Sequence, residues 1–292
     1  MRLCTIRLDG EETAAVVVPD GLVPVKRINA HLGRAWPTDV FALIGQGLSP
    51  ILLRDAERTP APLPPWEATF APLYRRPRKI WGIGLNYRDH AGDLSAPFPS
   101  EPASFMKGDH TIIGPNETIQ LPPESERVTA EAELGVIIGR ECRLVSEEDV
   151  PHYVAGYCLI LDMTAEDILQ RNPRYLTRSK NFDTFFSFGP ELITPEEVLD
   201  VMRLRVGTYL NGMLHRENLV ANMAFPPYYL ISFHSQVMTL YPGDIISTGT
   251  PGAVVIEHGD IAECRIDGLG TLTNPVKRRA QADYTMLASI GV

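Results

Sequence analysis

The chain has 292 residues, of which 44% are hydrophobic and 22% charged. A chain this long buries about 75% of its unfolded surface, and its composition excludes a disordered or fibrous protein. With 27 Lys+Arg against 36 Asp+Glu the formal charge is −9, so it lacks both the basic footprint of a nucleic-acid binder and the basic face of a membrane-surface protein.

Cys4, Cys142, Cys158 and Cys264 contain no CxxC pair and read as scattered core thiols. No N-terminal apolar run suits a signal peptide, and no stretch of about 18 apolar residues suits a transmembrane helix. The sequence therefore predicts a soluble cytoplasmic protein.

In chain order, residues 1–25 read as short strands with turns at Asp9-Gly10 and Asp20-Gly21. Residues 37–44 read as a short helix capped by Thr38 or Asp39 and stopped at Gly45. Six prolines fall between Thr59 and Pro77. Proline fixes φ and removes a backbone donor, so this span reads as a linker, with a small domain at 1–75 and a larger one at 76–292. Beyond Lys79, apolar runs at 80–83, 112–113, 134–138, 204–210, 245–246 and 262–266 read as strands between glycine and proline turns. Helix starts are predicted at Ser146, at Thr164 and at Thr194-Pro195-Glu196-Glu197, which has the form of a capping box. The fold class is α+β or mostly β, without the regular strand–helix alternation of a doubly wound fold.

The segment Thr129-Ala130-Glu131-Ala132-Glu133-Leu134-Gly135 reads as a strand entering a core. Residues two apart on a strand share a face, so Glu131 and Glu133 point the same way. At an effective dielectric near 20 their repulsion over about 7 Å is on the order of 2–3 kcal/mol, which calls for a proton or a cation. Asp162 ends an apolar run before Thr164. Three oxygen donors without histidine or thiolate suit Mg²⁺ or Mn²⁺. Equally, the two glutamates suit a solvated strand face and Asp162 a helix cap.

Three further patterns carry chemistry. In Asn86-Tyr87-Arg88-Asp89-His90-Ala91-Gly92-Asp93, a helical turn makes His90 and Asp93 neighbours, and a carboxylate beside imidazole makes a general base; a surface His near an Asp is the bland alternative. Lys180, ahead of Phe182 and Phe185, reads either as a donor to a developing oxyanion or as a snorkelling lysine. The turn Thr248-Gly249-Thr250-Pro251-Gly252 reads as a backbone anion nest or as a plain strand-ending turn.

These pieces, in this order, resemble the fumarylacetoacetate hydrolase family. The likeness spans residues 79 to about 276. It rests on Gly84-Leu85-Asn86-Tyr87 with His90, Phe105-Met106-Lys107, Glu131-x-Glu133-Leu134, Gly156-Tyr157, Leu161-Asp162-Met163-Thr164-Ala165, Lys180-Asn181-Phe182-Asp183-Thr184, Asn211-Gly212, Pro242-Gly243-Asp244 and Thr248-Gly249-Thr250-Pro251. The resemblance implies a mixed β-roll/β-sandwich core with short helices and a small N-terminal α+β domain, assembled as a homodimer. It places the Mg²⁺ or Mn²⁺ ligands on Glu131, Glu133 and Asp162, and catalytic groups on His90, Asp93 and Lys180. It places substrate contacts on Tyr87, Lys107, Arg178, Gly249 and Thr250. The implied partner is a small 2-oxo or 2,4-dioxo acid, with no nucleic acid and no membrane.

The implied activity is metal-dependent hydrolytic C–C cleavage of an acylpyruvate-type 2,4-dioxo acid through a metal-bound pyruvate enolate. The alternatives are decarboxylation of an oxaloacetate-type 2-oxo acid, isomerase or hydratase chemistry on 2-oxo acids, or a non-catalytic protein that binds metal and a dicarboxylate. Two positions depart from the family pattern. Asp93 stands where the hydrolases usually carry Glu. Glu166 stands where Arg is usual, leaving Arg171, Arg174 or Arg178 to supply a guanidinium.

Overall fold

In the computed structural model, which describes residues 1–87 and 99–278, positive φ angles at Asp9 and Gly10 turn β1 (Arg2–Leu8) into β2 (Glu11–Val18). The Asp20-Gly21 turn then leads into β3 (Gly21–Pro24). β1 is buried on both sides: Leu3 packs into one core, Cys4 and Ile6 into another. The helix predicted at 37–44 is Val40–Gln46, capped by the Asp39 carboxylate, which accepts from Ala42 N–H at 2.8 Å. It runs through Gly45 and stops at Gly47, whose φ of 84° leaves the helical region. Helices Val25–Leu32 and Pro50–Glu57 were not legible, because each buries only two or three residues, too few to show a 3.6-residue period.

The proline-rich span is packed. Leu63 bridges to Leu22, and β4 (Thr69–Ala71) pairs with β1. The remaining strands are β5 (Ile80–Gly84), β6 (Ala103–Lys107), β7 (Ile112–Ile113), β8 (Ile119–Leu121), β9 (Val128–Ile138), β10 (Val154–Ala165), β11 (Phe186–Ile193), β12 (Arg205–Leu210), β13 (Met213–Leu219), β14 (Ile245–Ser247), β15 (Ala253–Ile256), β16 (Ile261–Ile266) and β17 (Gly270–Arg278). Among the described residues they form two sheets. The larger runs β3-β2-β1-β11-β10-β9-β14-β5-β6, with β15 on β9, β4 on β1 and β7 on β11. The smaller runs β13-β12-β16-β17-β8. This is the expected α+β class, mixed sheets with short helices. The strands from 1–75 join the larger sheet directly, through β1 against β11.

β9 and β10 form its spine. β10 is buried along its whole length, with Leu159 and Leu161 in one core and Cys158 and Ile160 in the other. At Gly135 a Cβ would fall 2.6 Å from both Cys158 Sγ and Ile160 Cδ1, so glycine lets the strands close. Asp162 does not end its strand as expected; β10 continues to Ala165.

Of the predicted helix starts, the one at Thr164 leads into an α-helix, whereas those at Ser146 and Thr194 give only 3₁₀ segments. Ser146 bonds Asp149 and opens a turn leading to a 3₁₀ segment, Val150–Tyr153. Thr164 donates to Glu131 and leaves helix Glu166–Arg171 without a side-chain cap. Thr194 Oγ1 and Glu197 both accept from the Met1 amino group, so the box gives only a 3₁₀ turn, Pro195–Glu197. All four cysteines are free and buried. Among the described residues no helix is long and apolar enough to cross a membrane.

Candidate functional site

Strand register assembles the carboxylates. Glu131 and Glu133 share a face of β9, and Asp162 on β10 pairs directly across from Glu131. One oxygen from each carboxylate lies within 4.8 Å of the others. The Asp162 side chain is fully buried and that of Glu131 is 13% exposed, so the trio opens on the Glu131 side.

Each acid is held by neighbours. Thr164 Oγ1 donates to Glu131 Oε1 at 3.0 Å. Ser247 Oγ and the Gly249 N–H donate to Glu133 Oε2 at 2.5 and 2.9 Å. Lys180 Nζ donates to Glu131 Oε2 at 2.8 Å and to Asp162 Oδ2 at 2.7 Å. Lys107 Nζ donates to Asp162 Oδ1 and to the Met163 carbonyl. Three carboxylates thus face two ammonium groups.

Burial dominates the electrostatics. It raises the Glu133 carboxyl, and the nearby Asp162 carboxylate adds to the rise while Lys180 opposes it. It lowers Lys107 to about 8 against the pull of Asp162. For Lys180 burial also acts downward, but Asp162, Glu131 and Glu133 together outweigh it and hold the ammonium above its ordinary range. Buried carboxylates at this spacing require compensation. Three oxygen donors, one per residue and close enough to converge with small side-chain adjustments, fit a hard divalent cation such as Mg²⁺ or Mn²⁺.

The glycine–threonine turn is clamped from behind. Asn86 Nδ2 donates to the carbonyls of Thr248 and Phe225 at 2.8 and 2.9 Å. Gly249 adopts φ of 95°, and a Cβ there would lie 2.8 Å from Asn86 Cβ. The Gly249 N–H holds Glu133, while Thr250 Oγ1 is buried and bonded to Gly252. Tyr87 is fully buried, its hydroxyl without a hydrogen-bond partner among the described residues. Arg178 is exposed on helix Leu176–Lys180. Glu166 is paired with Arg127 and accepts from Gln170, and Arg171 pairs with Asp167. His90 and Asp93 lie outside the described residues.

The structure therefore brings together Glu131, Glu133, Asp162, Lys107 and Lys180, with Gly249 behind them. Sequence reasoning missed Ser247 and Thr164 as partners of the glutamates. The sequence signal for Ser247 is a lone hydroxyl closing an apolar strand, and the local pattern around Thr164 points to a helix cap.

Residues 79–277 match the family model described as fumarylacetoacetate (FAA) hydrolase C-terminal. The chain is 37% identical over 251 residues to a mitochondrial oxaloacetate tautomerase of Bos taurus, covering 82% of this chain and 80% of that one. Its fold is similar to a 2-hydroxyhepta-2,4-diene-1,7-dioate isomerase from Mycobacterium marinum, with a TM-score of 0.75 and 28% identity. It is similar also to a maleylpyruvate hydrolase from Sphingobium sp. SYK-6 in complex with manganese(II) and pyruvate, with a TM-score of 0.79 and 28% identity. Both structural likenesses cover 96% of this chain and 100% of the other.

Proposed function

Because this chain belongs to the fumarylacetoacetate hydrolase family, we propose that it is a divalent-metal-dependent enzyme that interconverts the enol and keto forms of a 2-oxo dicarboxylic acid of the oxaloacetate type. The observation that carries this reading is the Lys107–Asp162–Lys180–Glu131 network, two buried ammonium groups paired with two of the three carboxylates. Enol–keto exchange moves one proton between the enol oxygen on C2 and the neighbouring carbon C3, as the C2–C3 double bond becomes the C2 carbonyl. It needs positive charge beside that oxygen and one proton-carrying group, and no attacking water. The 37% identity to an oxaloacetate tautomerase supports the same reading.

Glu131, Glu133 and Asp162 would hold Mg²⁺ or Mn²⁺, which when bound supplies Lewis-acid polarisation to the 2-oxo group. Lys180 places its ammonium at the open side of the trio, where it offsets negative charge developing on the substrate oxygen. Lys107 keeps Asp162 oriented from the closed side. Ser247 and the Gly249 N–H fix Glu133, so the trio is preorganised. We assign the carbon-bound proton to His90, with Asp93 setting its tautomer, and the distal carboxylate to the exposed Arg178. The reading includes a homodimer, which light scattering checks.

A second reading, hydrolytic C–C cleavage of a 2,4-dioxo acid, is supported by the likeness to maleylpyruvate hydrolase. One experiment separates the two. Enol oxaloacetate is followed by ultraviolet absorbance, and acetylpyruvate and fumarylpyruvate by NMR, with and without Mg²⁺ or Mn²⁺. The expected result is metal-dependent acceleration of enol decay, with acylpyruvates left intact. Pyruvate plus a second acid from an acylpyruvate, with enol decay at the background rate, would overturn the proposal in favour of the hydrolase.

A further inference from the structure

Lys180 has a third neighbour that is not an acid. Its Nζ lies 4.7 Å from the centroid of the Phe105 ring. An ammonium has three N–H donors. Those of Lys180 include one to Glu131 and one to Asp162. The aromatic face is a further attractive surface for the cation.

The backbone makes room for this ring. Phe105 on β6 pairs with Gly82 on β5. A Cβ at Gly82 would lie 2.2 Å from Phe105 Cζ and 2.4 Å from Cε2. Any side chain at position 82 would therefore push the ring out of its place. Phe105 is 8% exposed, so its contact with the cation is shielded from water. Two residues along the same face of β6, Lys107 reaches Asp162. The sequence Phe105-Met106-Lys107 thus sends two restraints into the site, a ring onto Lys180 and an ammonium onto Asp162.

We propose that Phe105, admitted by Gly82, is a positioning residue for the reaction: its ring face holds the Lys180 ammonium in place beside the carboxylate trio. Glu131, Glu133 and Asp162 would hold the cation, which would share the oxygens of Glu131 and Asp162 with Lys180. The ring offers the cation no oxygen, so it is the contact that would keep the ammonium in place with the site loaded. Its effect on catalysis rests on the enol–keto reading above, whereas the contact itself does not.

The test has two arms on the full chain. In the first, lysines carry carbon-13 at Cε, and the Lys180 signal is identified by its loss in Lys180→Arg. Ring current from Phe105 should hold its Hε protons upfield of their position in Phe105→Leu, a comparison unaffected by Lys79, whose Nζ lies 4.8 Å over the Tyr241 ring. In the second, Phe105 is replaced by 4-fluoro-, 3,5-difluoro- and 3,4,5-trifluorophenylalanine. These rings keep nearly the same shape while the negative potential of the face is progressively withdrawn. The expected result is a stepwise fall in kcat totalling roughly ten-fold, with KM held within about two-fold. A merely structural ring would leave kcat flat across the series. A flat kcat in an active enzyme overturns the proposal, as does a Lys180 signal that is not shifted from its position in Phe105→Leu. If the wild-type chain accelerates no 2-oxo acid conversion, the function proposed above fails, and the lysine signal alone still decides whether the ring holds the ammonium.

Discussion

At the scale of single residues, Asp162 is the point on which both lysines converge. Asp162→Asn leaves two buried ammonium groups facing one fewer carboxylate. Breaking a buried ion pair from one side costs about 3–5 kcal/mol, and urea unfolding in the presence of a chelator should show a loss of that size. Mn²⁺ affinity should fall by more than the roughly 10–100-fold that loss of an outer hydrogen-bond partner costs, as read by calorimetric titration. Unchanged Mn²⁺ binding would remove Asp162 from the ligand set. Gly249 is the second such residue. Alanine there meets both an unfavourable φ and the Asn86 side chain. Gly249→Ala should destabilise by about 1–3 kcal/mol and weaken Mn²⁺ binding through the loosened Glu133. Wild-type affinity in that variant would show that the turn does not support the site.

At the scale of elements, helix Pro227–Val237 carries a built-in acid sensitivity. His234 on this helix is 1% exposed, packs against Trp81 and Phe233, and bonds the Leu230 carbonyl through Nδ1. Burial lowers its pKa, and the Leu230 bond opposes this only in part. The folded chain therefore binds this proton more weakly than the unfolded chain, whose histidine titrates near about 6.5. The stability His234 confers is complete above that pH and is lost as the pH falls from there toward the folded value. His234→Leu should flatten the stability profile on the acid side and change little at pH 8, as read by urea midpoints. A wild-type profile equally flat would refute the assignment. The strand readings at this scale mostly held because apolar runs between glycine and proline turns are local signals. The capping box at Thr194 misled because its hydroxyl bonds the distant Met1 amino group, while at Thr164 the helix forms but the hydroxyl bonds Glu131 instead of capping it.

At the scale of the whole molecule, β1 ties the first residues into the larger sheet through its pairing with β11. Arg75 and Arg7 add ion pairs to Glu12 and Glu117, which join the two parts of the chain at the surface. A continuous sheet of this kind should unfold cooperatively. Leu3→Ala, at a fully buried position of β1, should lower stability by about 2–5 kcal/mol and shift one common transition. Fluorescence from Trp36, Trp66 and Trp81 should then coincide with far-ultraviolet circular dichroism. Two separated transitions would show that residues 1–75 unfold independently.

The sequence by itself determined the α+β class, most strands, the family and the carboxylates Glu131, Glu133 and Asp162. These depend on local pattern: apolar runs, the two-residue period of a strand and motifs read along the chain. It could not show that Asp162 lies opposite Glu131, because β9–β10 register is set by packing such as Gly135 against Cys158 and Ile160. Nor could it show that Lys107 and Lys180 meet on Asp162, that Ser247 holds Glu133, or that Phe105 covers Lys180 in the space left by Gly82. Those contacts join residues 18 to 114 positions apart, and only the folding of the sheets decides which distant side chains share the low-dielectric space where they act.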